Sequence, residues 1–196
     1  MVNTIKDTEI EEIVEGCINN DRAMQTRLYY AYYPVIYNTI ARYINDDGDK
    51  EDILQETFIK VFNNIAKLKD KSVVVPWMKR ISVNLCMDTL RKNKKLNLSF
   101  DQYIANRSGE DEHEADDFDV ESVTEITMDD VNEVLDQLPL GFRTVFMLYA
   151  IENFSHKEIA QQIGTSESNS KTQYMRAKVA IKNLVKQKFE CKRMRS

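Results

Sequence analysis

Phe154-Ser155-His156-Lys157-Glu158-Ile159-Ala160-Gln161-Gln162-Ile163-Gly164-Thr165-Ser166-Glu167 reads as a helix, a tight turn and the start of a second helix. Ser155 and Glu158 have the spacing of a capping box, in which the serine caps the helix and the glutamate reaches back. Ile159 and Ala160 follow, and Ala160 is small enough to let another helix cross closely. Gly164 stands where a helix ends in a left-handed residue. Ser166 can cap the next helix, so the spacing predicts helices over 156–163 and 167–188. Two helices joined by a short glycine-containing turn form a helix-turn-helix, whose second helix enters the DNA major groove.

Projected as a helix, 167–188 places Tyr174, Ala177, Ile181 and Leu184 on one face, expected inward. Asn169, Thr172, Met175 and Arg176 lie opposite, with Lys171 at their flank. Arginine can read guanine edges and asparagine adenine edges. Lys171, Lys178 and Lys182 suit phosphates. A solvated amphipathic hairpin is the plainer alternative, against which stands the cap, turn and cap at this spacing.

The 196-residue chain as a whole is ordinary in apolar content, rich in charge and poor in glycine and proline, which favours an all-helical protein. Net charge is −5, at first sight unsuited to nucleic acid, but it is unevenly spread. From Asp101 to Asp130 Arg107 is the only Lys or Arg. Between Lys60 and Lys95 bases far outnumber Asp70 and Asp88, and from Lys171 onward nine bases face only Glu190. Two basic modules therefore flank an acidic strip. No apolar run approaches the roughly 20 residues that span a bilayer. Met1 to Glu12 is not patterned as a signal peptide, so the expected location is the cytoplasm. Cys17, Cys86 and Cys191 are far apart, and His113 and His156 have no evident partner, so no metal site, cofactor or catalytic constellation is expected.

Further upstream, Asp21 can cap a helix, and Pro34 is expected to divide it into helices of about 21–32 and 34–44. Asn45-Asp46-Asp47-Gly48 signals a turn, after which a helix starts at Asp49. Leu54, Phe58, Val61, Phe62 and Ile65 form its inward stripe; Asp52, Gln55, Glu56, Ile59 and Asn63 point outward. That acidic strip reads as a docking surface or as a solvated face. Residues 67–75 are expected to be a loop and 76–95 a helix, with Pro76 in its first turn. Met78, Ile81, Leu85 and Thr89 share one side of that helix, while Trp77, Arg80, Asn84, Arg91 and Lys95 share another. An aromatic ring beside guanidinium and amide groups suits unstacked bases, although a lone tryptophan is as often core.

Taken together, Asp49-Lys50-Glu51-Asp52-Ile53-Leu54-Gln55-Glu56-Thr57-Phe58 resembles region 2.2 of the extracytoplasmic-function (ECF) sigma factors of bacterial RNA polymerase. Trp77 to Arg91 resembles regions 2.3 and 2.4. Phe154 to Ala160, Gly164, Ser166-Glu167, Lys171 and Arg176-Ala177-Lys178 resemble region 4.2.

The resemblance implies an all-α fold of two small helical domains, sigma-2 and sigma-4, joined by a flexible acidic linker. The expected division is an N-terminal extension (1–20), sigma-2 (21–95), linker (96–126), sigma-4 (127–188) and basic tail (189–196). It implies that Asp52, Gln55, Glu56 and Ile59 meet the clamp helices of the polymerase beta-prime subunit. Lys71, Ser72, Trp77, Arg80, Asn84, Arg91 and Lys95 would face the melted −10 element, the loop capturing a flipped base. Ser168, Asn169, Lys171, Thr172, Gln173 and Arg176 would read the −35 element. Implied partners are core polymerase, including its beta flap, promoter DNA and an anti-sigma factor, often membrane-anchored.

The chain departs from the family at Ser168-Asn169-Ser170, where many members carry Gly-Thr-Val. Ser170 falls on the inward face, where its hydroxyl is expected to bond back to the preceding turn. Two other readings compete. An autonomous helix-turn-helix regulator has no need of the 49–91 segment, and no nucleophile, paired carboxylates or phosphate loop supports a helical enzyme.

Overall fold

The computed structural model describes residues 7–93 and 133–193, with side chains over 9–93 and 133–186. Every regular element among them is helical, and the chain divides into two compact units, Met1–Leu90 and Arg91–Ser196. The acidic segment 96–126 and Lys95 lie outside the described residues.

The first unit starts with α1 (Asp7–Ile18), which packs on α2 (Arg22–Ala41). Ile10, Ile13, Val14 and Cys17 are buried, so this segment is part of the unit's core rather than an extension to it. Gly16 permits the close crossing: a Cβ there would lie 2.4 Å from Met24 Cγ. Asp21 caps α2 as expected, accepting from the N–H groups of Ala23 and Met24 at 2.8 and 3.3 Å.

Pro34 does not divide α2, contrary to the expectation from sequence. Leu28, Ile36 and Ile40 lie on one face of a continuous helix, and all three are fully buried. Breaking the helix would throw half of that stripe out of register. The carbonyl that loses its donor belongs to Tyr30, a residue 72% exposed, where water can replace the missing N–H.

Helix α3 (Asp47–Asn64) begins two residues earlier than its periodicity indicates, because Asp46 is the cap and accepts from Asp49 N–H at 2.9 Å. Leu54, Phe58, Val61 and Ile65 are buried as expected, and Phe62 is half-buried. The expected loop 67–75 keeps an irregular stretch only at 68–70, between two 3₁₀ turns, Ile65–Lys67 and Lys71–Val73, the second packed against α1. Helix α4 (Val74–Lys92) buries Val74, Met78, Ser82, Val83, Leu85, Cys86, Met87 and Leu90; of the inward side expected from sequence, Met78 and Leu85 are buried while Ile81 and Thr89 are half-buried. Buried Ser82 is satisfied by Lys79 carbonyl at 2.8 Å.

In the second unit a helical turn at 133–136 precedes α5 (Leu140–Phe146), which closes in a π-turn, Met147–Ile151. Asn153, with φ of 56°, turns the chain into α6 (His156–Ile163). Helix α7 (Glu167–Arg193) follows and packs on both α5 and α6. It runs through the boundary expected at 188. Phe142, Val145, Leu148 and Ile159 fill this core.

Candidate functional site

The helix-turn-helix is built as its sequence indicates. Ser155 Oγ accepts from Glu158 N–H at 3.3 Å, and Ser155 N–H donates to Glu158 Oε2 at 2.9 Å. Gly164 is left-handed (φ 74°), and Asn169 N–H donates to Ser166 Oγ at 3.0 Å. A further clasp holds the two helices: His156 Nδ1 and Ser170 Oγ are 3.0 Å apart. Ser170 thus pairs with the preceding helix rather than with its own preceding turn. Tyr149 stacks on the imidazole at 4.3 Å between ring centres, and Tyr174 meets it edge-on at 5.8 Å. Burial, then the nearby Lys171 ammonium, hold the His156 pKa below its ordinary value.

Of the residues expected to read duplex DNA, Ser168, Lys171, Thr172 and Arg176 are exposed on α7. Met175 and Val179 extend the same strip, about two-fifths exposed. Gln173 is not on it. Only 2% of Gln173 is exposed, so its assignment as a DNA contact is corrected to a core position. The buried arc of α7 takes in Ser170, Gln173, Ala177 and Ala180, while Tyr174 sits at its edge, stacked on Phe146 at 5.9 Å. That arc is rotated from the expected one toward Gln173. Asn169 is half-buried and engaged at both ends of its amide: Nδ2 donates to Thr165 Oγ1 at 2.6 Å, and Oδ1 accepts from Gln173 Nε2 at 3.3 Å. It stabilises the turn rather than offering a free amide to adenine. Lys171 is paired with Glu167 at 2.8 Å, which holds that carboxyl below its ordinary range.

In the first unit Asp52, Gln55, Glu56 and Ile59 form an exposed stripe at i, i+3, i+4 and i+7 of α3, and Ile59 is 59% exposed. Glu56 also pairs with Lys60 at 3.1 Å. On α4 Arg80 and Arg91 are exposed, and Trp77 and Asn84 are half-buried. The turn before α4 is more constrained than its sequence indicates. Lys71 is salt-bridged to Glu15 of α1, a partner that no local pattern reveals. Ser72 donates its hydroxyl and its N–H to Asp70, at 2.6 and 3.0 Å, and these bonds lower the Asp70 pKa. Cys17 and Cys86 are buried, and burial and Asp21 push the Cys17 thiol up to about 11. Among the described residues no cluster fit to hold a metal occurs, and no helix is long and apolar enough to cross a membrane.

Residues 28–96 match the family described as sigma-70 region 2, and residues 128–181 match sigma-70 region 4. The chain belongs to the sigma-70 family, in its ECF branch. Relatives include the RNA polymerase sigma factor SigV of Bacillus subtilis, 28% identical over 142 residues (72% of this chain, 78% of that one). The ECF sigma factor SigM of the same species is 27% identical, with 80% and 92% covered. Among solved structures, the sigma factor RpoE of Bartonella quintana, in complex with the anti-sigma factor NepR, aligns with a TM-score of 0.47. Identity there is 17%, with 82% of this chain and 96% of that chain covered. This sigma factor binds core RNA polymerase and directs promoter-specific initiation through −10 and −35 elements.

Proposed function

We propose a division of this activity among three surfaces. The α3 stripe Asp52, Gln55, Glu56 and Ile59 docks on the polymerase clamp helices. The Lys71–Val73 turn with Trp77, Arg80, Asn84 and Arg91 takes the melted −10 strand, and Lys95 belongs to the same set by its sequence spacing. The exposed strip Ser168, Lys171, Thr172 and Arg176 reads the −35 duplex, Arg176 at a base edge and Lys171 at phosphate. Residues 7–93 then act as sigma-2 and 133–193 as sigma-4. The protein does no bond chemistry; it works by selective binding in the cytoplasm. An anti-sigma factor is its proposed regulator on family grounds.

The observation that carries this reading is the α3 stripe. Four residues at helical spacing, one of them a large exposed isoleucine beside acids, suit a protein-docking surface, and the 49–91 segment that carries them is one a freestanding DNA-binding regulator does not need. The experiment reconstitutes initiation with core polymerase. Asp52→Ala is expected to weaken core binding and leave promoter choice intact. Arg176→Ala is expected to reduce dependence on the −35 element and leave core binding intact. Equal loss of both functions from either change would defeat the division. Tight, specific duplex binding without core polymerase would favour the autonomous regulator instead.

A further inference from the structure

We infer that Val73 reads a thymine in the melted −10 strand through the methyl group of the base. This rests on the proposed −10 surface and sharpens it to one base and one contact.

The side chains of Lys71 and Ser72 are already engaged. Lys71 is paired with Glu15, Ser72 donates twice to Asp70, and Val74 N–H closes the turn on the Lys71 carbonyl. Val73 is different. It is 41% exposed, while its neighbour Val74 is fully buried and fixes the turn to the core. Val73 also heads a stripe along α4, with Trp77, Arg80 and Asn84 following at i+4, i+7 and i+11. A base unstacked against the tryptophan lies one helical turn from the valine methyls. What the turn offers that base is hydrocarbon on a rigid, pre-bonded frame. Of the four DNA bases only thymine carries a methyl group, and apolar side chains recognise it by contact. Cytosine, of similar size, lacks the methyl and gains nothing from this contact.

The test uses the full chain with core polymerase. A promoter is first selected from a library randomised across the −10 region. Each thymine of its non-template strand is then replaced by deoxyuridine, which lacks only the methyl group. At one position the replacement is expected to speed open-complex dissociation about fourfold, the factor for one methyl group removed from water. Val73→Ala should make thymine and deoxyuridine equivalent at that position alone, with unchanged circular dichroism. Val73→Thr, which keeps the outline but exchanges a methyl for a hydroxyl, should behave in the same way. A selected −10 element without thymine overturns the inference. So does indifference to deoxyuridine at every position while Val73→Ala still alters base preference; the surface then stands and the methyl contact does not. If neither Val73→Ala nor Trp77→Ala changes −10 dependence, the proposed −10 surface itself falls.

Discussion

Gln173→Met separates the two roles that sequence and structure give this position. The glutamine is 2% exposed, and its Oε1 is buried without a hydrogen-bond partner. Its Nε2 donates one long bond, 3.3 Å, to Asn169. An unsatisfied buried acceptor costs about 1–3 kcal/mol, and a neutral hydrogen bond contributes only about 0.5–1.5 kcal/mol. Methionine has nearly the same length and shape and no amide to desolvate. The Asn169 carbonyl oxygen that loses its donor is only half-buried, so water can reach it. The balance is a stabilisation of about 0–1.5 kcal/mol. For a unit of this size each kcal/mol moves the melting temperature by about 4–8 °C. Thermal unfolding of the full chain, followed by circular dichroism, should show the transition of the second unit unchanged or raised. Transcription from a −35 base-substitution series should show the same base preferences as the parent. A transition lowered by more than about 1 kcal/mol, or a changed preference at one −35 position, would return Gln173 to the DNA face and refute the burial argument.

Three further outcomes follow from the packing. Because the folded His156 pKa lies below the ordinary 6.5, the unfolded chain takes up the proton first as pH falls. Stability of the second unit should therefore be full above pH 6.5 and decline below it until the folded imidazole protonates as well; His156→Gln should flatten that part of a melting-temperature profile. Gly16→Ala should destabilise the first unit by about 1 kcal/mol, since overpacking costs about 1–3 kcal/mol against a helix-propensity gain of about 1 kcal/mol. A raised denaturation midpoint would show that Met24 yields without cost. Ser155→Ala removes the capping box and should cost about 1 kcal/mol in urea unfolding, and an unchanged midpoint would mean the cap contributes nothing net.

What could be read from sequence was what local chemistry decides. Asp21, Ser155 and Gly164 act where their side chains or backbone freedom predict, because caps and left-handed ends involve neighbours within four residues. The outward stripe of α3 was legible for the same reason, since a period of 3.6 residues needs no tertiary knowledge. The failures share the opposite cause. Pro34 stays inside α2 because a buried stripe on both sides of it outweighs one missing hydrogen bond. Helix α1 joins the core through Gly16 and Met24, a contact across a turn. Gln173 is buried because α5 fixes the rotation of α7, and a helical projection cannot supply that angle. Glu15 with Lys71, and His156 with Ser170, are partners from different elements that no spacing rule connects.

Two ion pairs, one between elements and one within a helix, bear on why such an acidic chain works on DNA within a polymerase. On the proposed −10 surface, Lys71 is already paired with Glu15; on the proposed −35 strip, Lys171 is already paired with Glu167. A phosphate that approaches either lysine must displace a carboxylate, so each contact releases less free energy than a bare cation would provide. Non-specific affinity for DNA grows with the number of phosphates neutralised. A chain of net charge −5 that answers part of its own positive charge should therefore bind stray duplex weakly. The acidic docking stripe on α3 does not compete with DNA for these surfaces, because it lies on a different helix from either. Binding to polymerase can then supply the affinity that the DNA faces lack, and the promoter contacts are left to discriminate sequence. On this argument, Glu15→Gln should raise non-specific duplex binding of the free protein and steepen its salt dependence, and it should leave core binding unchanged. An unaltered salt slope would mean that the Glu15–Lys71 pair does not restrain the lysine.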